Sequence, residues 1–137
     1  MEKSLYDTGF LFATLDEDDD YHSACLEVYQ TERNVLLPDM VLPEIAYLIK
    51  RELKLKDLTK FLRAVAKGGF ELVRTTEKDL ERAAEILEKY DDNNIDLVDA
   101  LIVAMAERLK IEKILTVDRR HFGAFKPNHC QAFKLLP

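Results

Sequence analysis

Two aspartates directly follow apolar runs that have the composition of short β-strands. Asp7 comes after residues 4–6, and Asp118 comes after residues 114–117. Parallel strands end at the same edge of a sheet, so carboxylates placed there can converge on one ligand. Such carboxylates serve in proteins as metal ligands or as acid–base groups.

A third carboxylate, Asp99, lies where helical packing favours an apolar residue. The segment 97–110 is apolar on nearly all sides, which predicts a helix buried between neighbouring elements. Asp99 shares a face of that helix with Ile102, Val103 and Ala106. An acid on such a face is destabilising unless the helix N-terminus, or better a cation, compensates its charge.

Glu44 repeats this pattern in another predicted helix. It stands beside Pro43 in the first turn, and we expect it to share an apolar face with Val41, Tyr47 and Leu48. Two acids in first helical turns thus join two acids at strand ends. In a parallel α/β architecture all four could meet at one edge.

Four clustered carboxylates repel one another unless a dication lies among them. Oxygen-only ligation suits Mg²⁺ or Mn²⁺ better than zinc. Ions bound in such a site can lower the pKa of a bound water and polarise an anionic ligand.

Each acid also has a purely structural interpretation, which the sequence leaves open. Asp7 and Asp96 are suitable helix N-caps, and Asp99 is suitable as the third-position acid of a capping arrangement. Asp118 could belong to a surface turn. The combination of all four favours a shared site, since Asp99 and Glu44 lie on faces that should be buried.

Short strand-like runs alternate along the chain with helical ones. We expect strands at 4–6, 35–37, 70–74, 114–117 and 132–135. We expect helices at 8–15, 21–31, 41–54, 56–67, 77–90 and 97–110, the fifth opened by a capping box at Thr76, with a turn at 91–94. This alternation predicts an α/β fold with a mostly parallel sheet, whose ligands collect where the strand order reverses.

Composition indicates one folded domain spanning residues 1–137. Hydrophobic residues make up 47% and charged residues 34%, and no apolar run reaches the roughly 20 residues that span a bilayer. The first residues lack the apolar core of a signal peptide, so we expect a cytoplasmic protein that does not enter membranes.

The charge balance is acidic, with a formal net charge of −6, whereas simple nucleic-acid binders are usually basic. Dications in an acidic pocket would still attract phosphate. A local basic stretch also runs from Lys50 to Lys67. Lys50, Lys54, Arg119 and Arg120 are the candidates for holding a nucleic-acid backbone, although solvated surface charge is the more common role for such residues.

The two cysteines, Cys25 and Cys130, are far apart in the sequence, and in a cytoplasmic protein we expect such a pair to be reduced thiols. Each has a histidine nearby in sequence, His22 and His129. The close Cys-x-x-Cys spacing of structural zinc sites is absent, so we assign no function to these four residues.

The same residues resemble the PIN-domain family, in particular the VapC-type toxin ribonucleases. The matching segments are LYDTG at 5–9, LPEIAYL at 42–48, DLVDALIVA at 96–104 and LTVDRRHF at 115–122. Any one of them is weak alone. Together they span nearly the whole chain in the family's order.

The resemblance implies a three-layer α/β/α fold with a five-strand parallel sheet. It implies that Asp7, Glu44, Asp99 and Asp118 are the catalytic metal-site acids, with Asp96 assisting and the polar residues Thr8 and Thr116 nearby. It further implies RNA cleavage with Mg²⁺ or Mn²⁺, a homodimer, and a small antitoxin as partner. A housekeeping PIN nuclease, a non-catalytic PIN-like binding module and a phosphoesterase for small substrates remain alternatives.

Overall fold

The computed structural model describes residues 2–137, which form five β-strands separated by helices. The strands are short, with three or four residues each. They are β1 (Ser4–Tyr6), β2 (Val35–Pro38), β3 (Glu71–Val73), β4 (Lys113–Leu115) and β5 (Lys134–Leu136).

Seven α-helices connect these strands within the described residues. They are α1 (Thr8–Leu15), α2 (His22–Thr31), α3 (Val41–Glu52), α4 (Leu55–Ala66), α5 (Glu77–Lys89), α6 (Leu97–Leu109) and α7 (Arg119–Ala124). A short 3₁₀ turn at Asp91–Asn93 precedes α6. The capping box expected at Thr76 is confirmed, because its hydroxyl accepts the Asp79 amide at 3.2 Å and the Asp79 carboxylate accepts the Thr76 amide.

The sheet is parallel throughout, with the strand order β3-β2-β1-β4-β5. The chain runs outward from β1 through β2 to β3, then crosses back to place β4 on the other side of β1. The strand order therefore reverses between β1 and β4, which are paired in the register Tyr6 to Leu115. Ligands of such sheets bind at this switch point.

Helices cover both faces of the sheet and give a three-layer α/β/α arrangement. Helix α1 packs on α2 and α3, α3 also packs on α4, and α5 packs on α6. Helix α6 is buried along most of its length, from Val98 to Ala106. The expectation of an apolar, enclosed helix that carries Asp99 near its start is thus confirmed.

The last third of the chain departs from the sequence expectation in three places. Strand β4 ends at Leu115 instead of residue 117, since the Thr116 hydroxyl accepts the Asp118 amide at 2.9 Å and turns the chain. Helix α7 was not predicted, because six residues are too few for a periodic pattern. Strand β5 begins at Lys134, two residues later than expected.

Among the described residues, no helix is long and apolar enough to cross a membrane.

Candidate active site

Asp7 is fixed at the end of β1 by hydrogen bonds on all sides. Its amide donates to the Leu115 carbonyl at 2.9 Å, which extends the pairing with β4 by one residue. Its carboxylate accepts the Thr8 amide at 2.9 Å on Oδ1 and the Thr116 hydroxyl at 2.6 Å on Oδ2. The residue is only 6% exposed, so one orientation is enforced.

Asp118 lies on the other side of the switch point, at the N-cap of α7. Its Oδ1 accepts the His121 amide at 3.0 Å, and its own amide donates to the Thr116 hydroxyl. Thr116 therefore connects the two strand-end aspartates, since it donates to Asp7 and accepts from Asp118. The sequence expectation that Thr116 lies near the site is matched by this geometry.

Asp96 and Asp99 form a capping box at the start of α6. Asp96 Oδ1 accepts the Asp99 amide at 3.0 Å, and Asp99 Oδ2 lies 3.4 Å from the Asp96 amide. The Asp96 side chain is exposed, whereas the Asp99 side chain is only 13% exposed. Of this pair, Asp99 is the one held inside the cleft.

Glu44 lies in the first turn of α3, where the Thr8 hydroxyl donates to its Oε1 at 2.5 Å. The expectation that Tyr47 shares its buried face is wrong, because Tyr47 is 63% exposed. The buried stripe of α3 consists of Val41, Ile45 and Ile49, spaced by four residues, and Glu44 lies at its edge.

The structure brings all four predicted acids and Thr8 into one cleft of about 340 Å³. The residues lining it are Asp7, Thr8, Gly9, Glu44, Leu48, Asn94, Asp96, Asp99, Val117, Asp118 and His121. Thr116 stands behind this surface and is fully buried.

Burial raises the pKa of two of these acids strongly. Desolvation raises the pKa of Asp7 to about 6, although the Thr116 and Thr8 hydrogen bonds act in the opposite direction. Desolvation, then repulsion from Asp96 and Asp7, raises the pKa of Asp99 to about 7. The pKa of Glu44 is also raised, mainly by desolvation. The free cleft thus resists carrying its full negative charge.

A dication fits this cleft chemically. Among residues 2–137, no lysine or arginine lines it, so His121 is the one side chain of the lining that can carry a positive charge among the carboxylates. The available donors are mainly carboxylate oxygens, which Mg²⁺ and Mn²⁺ prefer. The N-termini of α1, α3 and α6 add partial positive charge on the same side.

The structural and the functional interpretations of these acids coexist. Asp7, Asp96 and Asp118 are indeed helix N-caps, and Asp99 completes a capping box. The caps bring the acids together, because the helices that they begin all start at the carboxyl edge of the sheet. A capping role alone does not explain why the carboxylates share one desolvated cleft.

The four cations predicted to hold RNA lie outside the lining of this cleft. Lys50, Lys54, Arg119 and Arg120 are all exposed. The Arg119 guanidinium donates to the carbonyls of Leu135 and Pro137, so it ties α7 to the end of the chain. Arg51 instead lines a second cleft that adjoins the acidic one along Gly9, Leu48 and Val117.

His121 is a site residue that the sequence analysis did not single out. Its Nδ1 lies 2.7 Å from Asp118 Oδ2 and 3.9 Å from Asp99 Oδ2. The spacing of three residues from Asp118 would have indicated this contact if α7 had been expected, because such residues share a helical face.

The remaining cysteines and histidines are placed away from the acidic cleft. Cys25 is buried and Cys130 is partly exposed, both as free thiols. Nδ1 of His22 contacts the Ala13 carbonyl at 2.7 Å, and Nε2 of His129 contacts the Ile111 carbonyl at 2.6 Å.

The model of the PIN domain family matches residues 5–126 of this chain, which include every acid of the cleft. The chain belongs to the PIN domain family. The resemblance noted from its sequence motifs is thereby confirmed, and the parallel five-strand sheet is the PIN fold.

Proteins named VapC are among those that this PIN domain chain matches. It is 33% identical over 134 residues to Ribonuclease VapC26 of Mycobacterium tuberculosis, covering 97% of this chain and 99% of that one. The crystal structure of VapC20 from the same organism, titled a sarcin–ricin loop cleaving toxin, superimposes with a TM-score of 0.75 at 20% identity, covering 81% of this chain and 86% of that one. A toxin–antitoxin complex from Klebsiella pneumoniae superimposes with a TM-score of 0.66 at 17% identity, covering 89% and 92%.

Proposed function

We propose that this chain, as a single PIN domain, is a metal-dependent endoribonuclease and the toxin of a toxin–antitoxin pair. The observation that carries the proposal is the cleft at the switch point, where four carboxylates meet without a lysine or arginine in its described lining. The ribonuclease relative, which matches the chain over nearly its full length, gives the reaction class.

Asp7, Glu44, Asp99 and Asp118 would hold Mg²⁺ or Mn²⁺, with Asp96 assisting from the rim of the cleft. When bound, the ion supplies a Lewis acid that polarises a phosphodiester and acidifies a water molecule. The chain's own polar residues fix the carboxylates beforehand. Thr116 orients Asp7, and Thr8 orients Glu44, so that little rearrangement is needed on binding.

Exposed cations near the cleft are suited to contact the RNA on either side of the cut. Arg51 lines the adjoining cleft, and Lys50, Lys54, Arg119 and Arg120 contribute more distant positive charge. Because phosphate contacts release counterions, binding of RNA by these side chains should weaken as salt rises.

Cleavage of a defined RNA tests the activity directly. The purified chain should cut a 5′-labelled single-stranded or structured RNA in Mg²⁺ or Mn²⁺ and leave it intact in excess EDTA. Asp7→Asn, prepared in parallel, should be inactive, which excludes a contaminating nuclease. Undiminished cleavage in EDTA, or faster hydrolysis of small phosphate esters than of RNA, would contradict the proposal.

The toxin role predicts an effect on growing cells. Expression without an antitoxin should arrest growth, and Asp99→Asn should relieve the arrest, because the arrest depends on cleavage. Such a protein acts in the cytoplasm, where its RNA and its antitoxin are made. Equal arrest by both forms would show that cleavage is not the cause, and absence of arrest by either would favour a housekeeping nuclease.

We also propose that the protein is a homodimer. Leu55 and Leu62 lie seven residues apart on α4 and are 64% and 44% exposed. A second copy could cover them. Of the apolar side chains around the start of α4, Phe61 is buried, and Leu53 and Leu58 pack against the core. Leu55 and Leu62 therefore remain available for contact with a second copy. Light scattering should give twice the 15.9 kDa of one chain, and a monomer at micromolar concentration would contradict this.

A further inference from the structure

The imidazole of His121 stands beside two of the proposed carboxylate ligands. One ligand atom each from Asp99, Asp118 and His121 lies within 4.8 Å of the other two. The shortest separation joins His121 Nδ1 to Asp118 Oδ2 at 2.7 Å. The cleft therefore offers a nitrogen donor in addition to its carboxylate oxygens.

In this geometry Nδ1 and Oδ2 share a hydrogen-bond proton. Both atoms can carry lone pairs, so at a separation of 2.7 Å one of them must hold a proton that the other accepts. In the free protein a proton on Nδ1 serves this purpose. A dication can replace it in either protonation state: a doubly protonated ring gives its Nδ1 proton to water and keeps the one on Nε2, and a neutral ring moves its single proton from Nδ1 to Nε2.

Asp118 stays in place through such an exchange. Its Oδ1 is held separately by the His121 backbone amide at 3.0 Å, and this bond does not involve the imidazole. The Thr116 hydroxyl anchors the Asp118 amide on the other side. The imidazole can therefore change partner without releasing the carboxylate.

We propose that His121 is a nitrogen ligand of the ion held by Asp99 and Asp118, and that it makes this site select a transition-metal dication over Mg²⁺. The inference rests on the proposed function, since it presupposes a dication in the cleft. Both Mg²⁺ and Mn²⁺ bind carboxylate oxygens well, but first-row transition-metal dications, Mn²⁺ among them, also accept an imidazole nitrogen, which Mg²⁺ rarely does. A site with one imidazole therefore discriminates between the two classes of ion.

A histidine that only orients Asp118 from outside the metal would behave differently. Losing such a positioning residue lowers the affinity for every ion that Asp118 binds. Losing a nitrogen ligand lowers the affinity for the transition metal and leaves Mg²⁺ largely unaffected. The ratio of the two affinities thus separates the two roles.

Mn²⁺ is a suitable probe because its electron spin reports a coordinated nitrogen. We expect the full chain with Mn²⁺ to show ¹⁴N modulation in pulsed electron paramagnetic resonance, and His121→Gln to lose it. The matched control His22→Gln should keep it, because His22 does not line the cleft. His121→Gln should bind Mn²⁺ more weakly while Mg²⁺ binding stays nearly unchanged, so that the ratio of the two affinities falls.

The possible results separate this inference from the proposed function. Persistent modulation in His121→Gln, or equal weakening of Mn²⁺ and Mg²⁺, overturns the ligand role. Mn²⁺ that binds the wild type without nitrogen modulation also overturns it and leaves the metal-dependent nuclease standing. Failure of the wild type to bind Mn²⁺ at all overturns both.

Discussion

The hydroxyl of Thr116 donates to Oδ2 of Asp7 at 2.6 Å, across 109 residues of sequence. The hydroxyl oxygen of Thr116 also accepts the Asp118 amide at 2.9 Å. One fully buried threonine between β4 and α7 thus sets the positions of two proposed metal ligands on neighbouring strands.

Thr116→Val should keep the shape of the core but lose both hydrogen bonds. We expect Mn²⁺ affinity to fall by about 10- to 100-fold, as is typical when a residue that orients a metal ligand is removed. Calorimetric titration of Mn²⁺ measures this. Thr14→Val is the matched control, because the Thr14 hydroxyl bonds the Leu11 carbonyl outside the cleft. Equal affinities in the wild type and Thr116→Val would contradict the positioning role.

The raised pKa values predict an unusual pH dependence for the metal-free protein. The pKa of Asp99 rises from 3.8 to about 7 on folding, so the folded state binds more protons than the unfolded state in this window. The free energy of unfolding of the metal-free protein should therefore fall as the pH rises from the ordinary pKa of an aspartate to the raised pKa of Asp99. Asp7, with a pKa of about 6, acts in the same direction.

Denaturant titrations in EDTA across this pH range test the prediction. Asp99→Asn removes one titrating group and should flatten the decline. Saturating metal should reverse the slope, because the ion binds deprotonated carboxylates. A metal-free wild type whose stability rises steadily from pH 4 to 7, to the same extent as that of Asp99→Asn, would contradict the assigned desolvation of Asp99.

A separate ion pair joins α5 to α6 behind the site. Two guanidinium nitrogens of Arg108 each lie 2.9 Å from a carboxylate oxygen of Asp79, which is 2% exposed. Arg108→Met should lower the free energy of unfolding by roughly 1–3 kcal/mol at neutral pH, since it leaves the buried Asp79 carboxylate with the Thr76 amide but without its guanidinium partner. Denaturant unfolding measures the loss.

The loss in Arg108→Met should shrink in acid. Burial raises the pKa of Asp79, but the hydrogen bonds from Arg108 and Thr76 and the charge of Arg108 together outweigh it, and the net pKa is lowered. The stabilisation is thus present above the ordinary pKa of an aspartate and disappears as the pH falls through the lowered value. A double variant Arg108→Met with Asp79→Asn should recover part of the stability. No recovery would show that the buried charge is not the cause.

The sequence predicted the features that depend on local pattern and polarity. Asp99 was recognisable because it interrupts an apolar helical face, and Asp7 because it ends a strand. Tyr47 was misplaced because spacing alone identifies neighbours on a helix but not the direction of the core, which in α3 follows Ile45 and Ile49. The approach of His121 to Asp99 was not predicted, because it depends on helix α7, which was not expected, and on how α7 lies beside the start of α6.

Thermal melts with and without metal test the shared metal site most directly. Wild-type protein should melt higher in millimolar Mn²⁺ than in EDTA, because an ion at one hundred times its Kd adds about 2.7 kcal/mol, or on the order of 10 °C for a domain of this size. Asp99→Asn, which loses one repelling charge and one ligand, should melt at or above wild type in EDTA and respond weakly to Mn²⁺. A wild-type melting temperature unchanged by Mn²⁺ would contradict the account.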